Sequence, residues 1–472
     1  MDKSRASGIL MAVSSLPGPY GIGSLGSSAR QFVDFLAQSG QTYWQILPLV
    51  PSGDGASPYM SPSSYAGSPY YIDLDLLVAE GLLTPDEVAP ARYYDPDRVD
   101  YDWLARTRMP LLKLAFSRSE GMDFADYDWL EDYARFCALH DRFQCSCTDW
   151  PADAVPDPEQ VNFHKFLQTV FFRQWFDLKD YANQRGVRLM GDIPFYLSPD
   201  SVEMWREPEL FQLDDKGHLR CVAGVPPDAF CPDGQLWGNP VYDWTDNERG
   251  VLAFWRRRIK WCAQLFDALR IDHFRAFYNY WTIPANAQTA KEGRWNLGPA
   301  RKLLNALHRA APDLELIAED LGDLDADAIR FVRTCGVPGM KVLVFAFDPA
   351  GESAYLPHNC VEDCVVYSGT HDTPTFVEWL SSTDPDSARF AREYLSLRDE
   401  EGLGWGVIRG AWATTARLAM APLQDVLGLG ADARMNLPGT IGPHNWSWRV
   451  RGEALNGEVA DRLAHLTRLY HR

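Results

Sequence analysis

The sequence has no excess of basic charge: 45 Lys and Arg stand against 64 Asp and Glu, a formal net charge of −19. Nucleic-acid binding depends on clustered cations that neutralise phosphates, so this balance excludes nucleic acid as the expected partner. The one basic cluster, Arg256-Arg257-Arg258, falls in a helical pattern and reads as a solvated face. Long apolar runs are missing too. Nothing approaches the roughly 18 apolar residues of a membrane span. The N-terminal run Ile9 to Val13 is shorter than the ~7–15-residue apolar core of a secretory signal. Nine cysteines are scattered along the chain, and the close pair Cys145 and Cys147 lacks metal-finger spacing. They read as reduced thiols of a cytoplasmic protein. No Gly-rich strand-to-helix fingerprint for phosphates or dinucleotides appears, and neither a cofactor nor a metal is expected. Internal repeats and low-complexity segments are absent.

What is present is the composition of a globular enzyme, 46% hydrophobic and 23% charged over 472 residues. Aromatics make up 13%. Most belong in the core, and those left at the surface are candidates for stacking on ring-shaped ligands. Gly8-Ile-Leu-Met-Ala-Val13 reads as a buried strand that breaks into a Pro- and Gly-rich loop. Ser27 or Ser28 would cap the following helix, and Tyr43-Trp-Gln-Ile-Leu47 is a second strand. This is the start of a strand–helix alternation.

Similar apolar runs open near residues 187, 268, 314, 340, 364 and 418, which makes eight strands. The expected fold is a TIM (β/α)8 barrel formed by residues 1–472, with subdomains inserted in its βα loops. One insertion, 52–158, follows strand 2. Another, 198–246, follows strand 3 and includes the stiff aromatic loop Val225 to Pro240, expected to cover the active site.

The chemistry concentrates at strand ends. In Ala268-Leu-Arg-Ile-Asp-His-Phe-Arg275 the side chains alternate faces, so Arg270 and Asp272 point the same way. The guanidinium is expected to lower the pKa of Asp272 and hold it ionised, as a nucleophile must be. Glu319 and Asp372 also stand at or just beyond apolar strands. Barrel strands converge with their C-terminal ends at one mouth, which would bring these three carboxylates together. Two carboxyl groups flanking a glycosidic bond can split it, one by attack and one by protonating the leaving oxygen. A third can stabilise the positive transition state. Taken singly, each has a simpler reading: Asp372 in Thr370-His-Asp-Thr-Pro374 suits a cap for a helix around Phe376, and Glu319-Asp320 suits a solvated loop end.

Arg270-Ile-Asp-His-Phe-Arg275, Ala318-Glu-Asp-Leu-Gly322 and Gly369-Thr-His-Asp-Thr-Pro374 resemble signature regions of the α-amylase superfamily. Ser57-Pro-Tyr59, Gly191-Asp-Ile-Pro-Phe-Tyr196, Gly234-Gln-Leu-Trp-Gly-Asn-Pro240 and Asn436-Leu-Pro-Gly-Thr440 narrow the resemblance to the 4-α-glucanotransferases called amylomaltases or disproportionating enzymes. The resemblance implies Asp272 as nucleophile, Glu319 as general acid/base and Asp372 as transition-state stabiliser. It implies substrate-binding roles for Tyr59, Asp192, Gln235, Trp237, Arg270, His273, His371 and Asn436, with α-1,4-glucans and maltooligosaccharides as partners. Two departures from wider patterns stand out. The strand with Asp192 lacks the histidine of typical α-amylases, as in the narrower family, and Ala229 and Cys231 flank Phe230 where some members have an aromatic residue. The alternative within the same scaffold is an α-1,4-glucan hydrolase, in which water replaces the acceptor sugar. A silent carbohydrate-binding barrel is a further alternative, against which all three carboxylates and Arg270 speak.

Overall fold

The computed structural model describes residues 5–227, 231–322 and 324–472. Eight parallel strands close a barrel: β1 (Ala6–Leu10), β2 (Tyr43–Gln45), β3 (Arg188–Ile193), β4 (Ala268–Ile271), β5 (Glu315–Ala318), β6 (Gly339–Val342), β7 (Cys364–Tyr367) and β8 (Leu418–Pro422). Each strand pairs with its neighbour in sequence, and β8 closes on β1 through Ala6 opposite Leu418. All eight lie where apolar runs place them. Strands buried on both faces read as continuous apolar stretches. β4, β5, β7 and β8 are buried at every position.

Helices cover the outside. The helix Pro158–Gln184 starts with proline at its first position, where the missing N–H is harmless, and Asp157 caps it by accepting from the Glu159 N–H at 3.0 Å. It buries Phe163, Leu167, Val170, Phe171, Trp175 and Leu178. A Cβ at Gly191 would lie 2.4 Å from the Phe266 ring, so β3 approaches the chain entering β4 only with glycine there.

Several expectations are corrected. The helix Ser27–Gln38 is not capped by Ser27 or Ser28; it enters from Gly26, with no side-chain cap. A Cβ at Gly26 would stand 2.0 Å from Asp73 Oδ2, and that crowding selects the residue at the helix entry. Arg258 is not on a solvated face. It is 1% exposed, with its guanidinium 5.0 Å from the Trp255 ring centroid. Gln235–Pro240, expected within a loop, is a strand. It joins Cys221–Val225, Asn279–Pro284 and Arg294–Leu297 in a four-stranded antiparallel sheet outside the barrel. Between β2 and β3 the chain forms helices that include Tyr101–Ser117 and Leu130–Phe143, the latter packed on Pro158–Gln184.

Among the described residues, no helix is long and apolar enough to cross a membrane.

Candidate active site

Register sets the floor of the site. Asp192 on β3 stands opposite Arg270 on β4, and neighbours in register point to the same face. Arg270 Nη1 donates to both Asp192 oxygens, at 2.8 and 2.7 Å, and its Nη2 donates to Asp272 Oδ1 at 3.1 Å. One guanidinium thus serves two carboxylates. Arg270 and Asp192 are almost wholly buried, whereas Asp272, one residue past β4, keeps about a third of its side chain open to the mouth.

Glu319 follows β5. Its Oε2 accepts from the His273 main-chain N–H at 2.8 Å and its Oε1 from the Leu321 N–H at 2.9 Å. His273 supplies that N–H because its backbone turns into the left-handed region, φ 52°, a conformation that costs an L-residue roughly 1–2 kcal/mol and concentrates at functional sites. Its ring meets the Trp237 indole edge-on at 4.8 Å, and its Nε2 has no protein partner. Trp237 Nε1 donates to Gln235 Oε1 at 3.0 Å, which fixes the indole at the edge of the four-stranded sheet.

The third carboxylate enters from the loop after β7. His371 is buried and stacks flat on Tyr59, with centroids 5.4 Å apart and planes 11° from parallel. Its Nε2 lies 2.9 Å from Tyr59 Oη and 3.2 Å from Asp372 Oδ2. Tyr59 Oη donates to Asp192 Oδ2 at 3.1 Å. Asn436 Nδ2 donates to Asp372 Oδ1 at 2.7 Å, and the Asn436 main-chain N–H donates to His371 O. Asp372 is not a helix cap: that place belongs to Thr375, whose Oγ1 accepts from the Glu378 N–H.

The electrostatics separate the three acids. Burial pushes Asp272 up to about 6; Arg270 pulls the other way, while Asp192 and Asp372 add to the rise. The expected lowering by Arg270 is therefore outweighed, because Asp192 shares the same guanidinium and the site is shielded from water. Burial, followed by the charge of Asp272, pushes Glu319 up to about 7, against its two N–H bonds. Burial alone would raise Asp372 as well, but His371 and the Asn436 amide hold it well below the usual range. Burial lowers His273 to about 3, so its ring is neutral.

The structure brings together Tyr59, Asp192, Arg270, Asp272, His273, Glu319, His371, Asp372 and Asn436, with Gln235 and Trp237 at the rim. Asp192 differs from its expected role in one respect. Both of its oxygens are engaged and its side chain is fully buried, so contact with a sugar requires one of those bonds to open. Phe230 and Ala229, expected in the covering loop, lie outside the described residues. Trp446 was not anticipated: its ring packs 5.7 Å from Tyr59 and 6.0 Å from His371. The aromatic pair in Asn445-Trp-Ser-Trp448 was the available signal. Among the described residues, no group of three or more His, Cys, Asp or Glu side chains is placed to hold a metal ion.

A (β/α)8 barrel with three carboxylates of different proton affinity at one mouth defines an enzyme acting on glycosidic bonds. Residues 11–455 match the model of the 4-alpha-glucanotransferase family, and the chain belongs to that family. The 4-alpha-glucanotransferase of Clostridium butyricum is 42% identical over 486 residues, covering 98% of this chain and all of that protein. That of Thermus thermophilus is 42% identical over 495 residues, covering 98% of each chain. The structure of amylomaltase from Streptococcus agalactiae in complex with acarbose superposes with a TM-score of 0.93, at 38% identity and 99% coverage of both chains.

Proposed function

We propose that this enzyme moves α-1,4-glucan segments from a donor maltooligosaccharide to the 4-hydroxyl of an acceptor glucan or glucose, by retaining double displacement. The observation that carries the mechanism is the pairing of Asp272 with a Glu319 whose proton is held to about pH 7. At neutral pH the dyad keeps one proton, and Glu319 is its better holder. Ionised Asp272 attacks the anomeric carbon while Glu319 protonates the departing glycosidic oxygen. The covalent glycosyl-enzyme is then opened by the acceptor 4-hydroxyl, which Glu319 deprotonates.

Asp372, kept anionic by His371 and Asn436, faces the positive charge that develops on the sugar. Arg270 orients Asp272, and Asp192 holds Arg270. Tyr59, backed by the buried His371, offers its ring to the sugar, His273 an unpartnered nitrogen to its hydroxyls, and Gln235 and Trp237 a rim that limits water at the acceptor side. We assign residues 1–472 to one catalytic barrel, with 52–158 and 198–246 as inserted subdomains. Nine cysteines, an odd number spread along the chain, support a cytoplasmic location.

Incubation with maltotriose tests the transfer. A ladder of longer oligomers plus glucose, with no net gain of reducing ends, is the expected result; accumulation of reducing ends without longer products would make the enzyme a hydrolase. A β-configured linkage at the newly formed bond of the longer products would exclude retention.

A further inference from the structure

The loop from Ser368 to Thr375, which carries His371 and Asp372, is tied to itself and then to one distant side chain. Within it, the Thr370 N–H donates to Thr373 Oγ1 at 2.9 Å, and the Asp372 N–H donates to Thr370 Oγ1 at 3.3 Å. Its two ends meet at Asp425, on the short helix Leu423–Val426 directly after β8. Ser368 Oγ donates to Asp425 Oδ2 at 2.6 Å, and the Phe376 N–H donates to Asp425 Oδ1 at 2.8 Å. The carboxyl is completely buried, and both hydrogen bonds come from uncharged donors. A carboxyl so placed is costly to bury. An apolar side chain would fill the space at less expense but could not hold two donors at once.

We propose that Asp425 is a positioning residue for the reaction: by clamping both ends of the His371–Asp372 loop to the exit of β8, it fixes where Asp372 points. The inference rests on Asp372 acting as the transition-state stabiliser. Two further features fit it. The Ser368 N–H donates to Met420 O on β8 at 3.1 Å, so loop and strand are joined by main chain as well. A Cβ at Gly369 would lie 2.9 Å from Thr373 Oγ1 and 3.5 Å from Asp425 Oδ2, which leaves little room for another loop path.

The test compares Asp425→Asn, Asp425→Ala and Ser368→Ala, with Asp372→Asn as the reference, in maltotriose disproportionation. Asparagine keeps both tethers, since its oxygen accepts from Phe376 and its amide donates to a reversed Ser368 hydroxyl; kcat should stay within about threefold of wild type. Alanine removes both side-chain tethers and leaves the main-chain bond of Ser368 to Met420 O. A displacement of about 1 Å at a reacting group is worth on the order of 100-fold, so kcat should fall by about that much while KM changes less than about threefold.

Ser368→Ala, which removes one of the two side-chain tethers, should fall between them, and it serves as the readout if Asp425→Ala does not fold. Equal losses in Asp425→Asn and Asp425→Ala, a parallel change of kcat and KM, or an unaltered kcat in Asp425→Ala and Ser368→Ala would each overturn the assignment. If Asp372→Asn keeps its kcat, the role given to Asp372 fails first. If Asp372→Asn is inactive while the clamp variants are not, only the inference about Asp425 fails.

Discussion

The main-chain N–H of His273 donates to Glu319 Oε2 at 2.8 Å, so the residue directly after Asp272, just past the end of β4, is bonded to the carboxyl group that follows β5. The Phe274 N–H donates to Glu319 O at 3.0 Å and reinforces the same junction. Asp272 and Glu319 are therefore set relative to each other through backbone hydrogen bonds.

The first prediction concerns pH. The proposed mechanism requires Asp272 ionised and Glu319 protonated, so kcat/KM should follow a bell whose acid limb lies near the affinity of Asp272, about 6, and whose alkaline limb lies near that of Glu319, about 7. The negative charge of Asp272 is one cause of the high Glu319 affinity. Removing it in Asp272→Asn makes ionisation of Glu319 easier and should move its titration below about 7, as read by carboxyl infrared bands or 13C-labelled glutamate. A rate flat from pH 5 to pH 9 would contradict the assignment.

Arg270 is predicted to matter for stability and for the acid limb together. In Arg270→Met the buried Asp192 loses its bidentate cation. Deleting one partner of a buried ion pair costs about 3–5 kcal/mol, measurable by urea unfolding near neutral pH. Because Arg270 lowers the Asp272 affinity, its loss should shift the acid limb to higher pH, and any residual activity should peak above the wild-type optimum. A shift towards lower pH would mean that Arg270 acts on Asp272 in some other way.

Asn436 donates to Asp372 Oδ1 at 2.7 Å. A hydrogen bond to a charged group contributes about 1.5–3 kcal/mol, so Asn436→Ala should lower kcat/KM about 10- to 100-fold. The unfolding midpoint should move little, because Asn436 is half-exposed and its main-chain bond to His371 O remains. Losing this donor should also raise the Asp372 affinity for protons. Activity equal to wild type would remove Asn436 from the machinery around Asp372.

Particular residues show how far the sequence could be read. Cys364-Val-Val-Tyr367 and Glu315-Leu-Ile-Ala318 stand out as strands because a strand buried on both faces must be apolar throughout, and that requirement is local. The strands Gln235–Pro240 and Cys221–Val225 do not stand out: they pair with each other, and Cys221–Val225 pairs on its other edge with Asn279–Pro284, which lies far along the chain. Arg258 carries the same side chain as its exposed neighbours Arg256 and Arg257. Its burial against Trp255 follows from the helix face that meets the barrel. Asp425 sits in no acidic or catalytic-looking stretch, and only its neighbours in space, Ser368 and the Phe376 N–H, give it meaning.

By itself, the sequence determined which residue types stand at the strand ends: Asp272 two residues after Arg270, Glu319 after an apolar run, and Asp372 beside His371. It therefore determined the class of chemistry. The tertiary structure decided their protonation. Desolvation and the sharing of one guanidinium between Asp192 and Asp272 depend on which side chains close around a group, and no spacing along the chain encodes that. An arginine two residues from an aspartate predicts a lowered affinity for protons; the closed barrel reverses the sign.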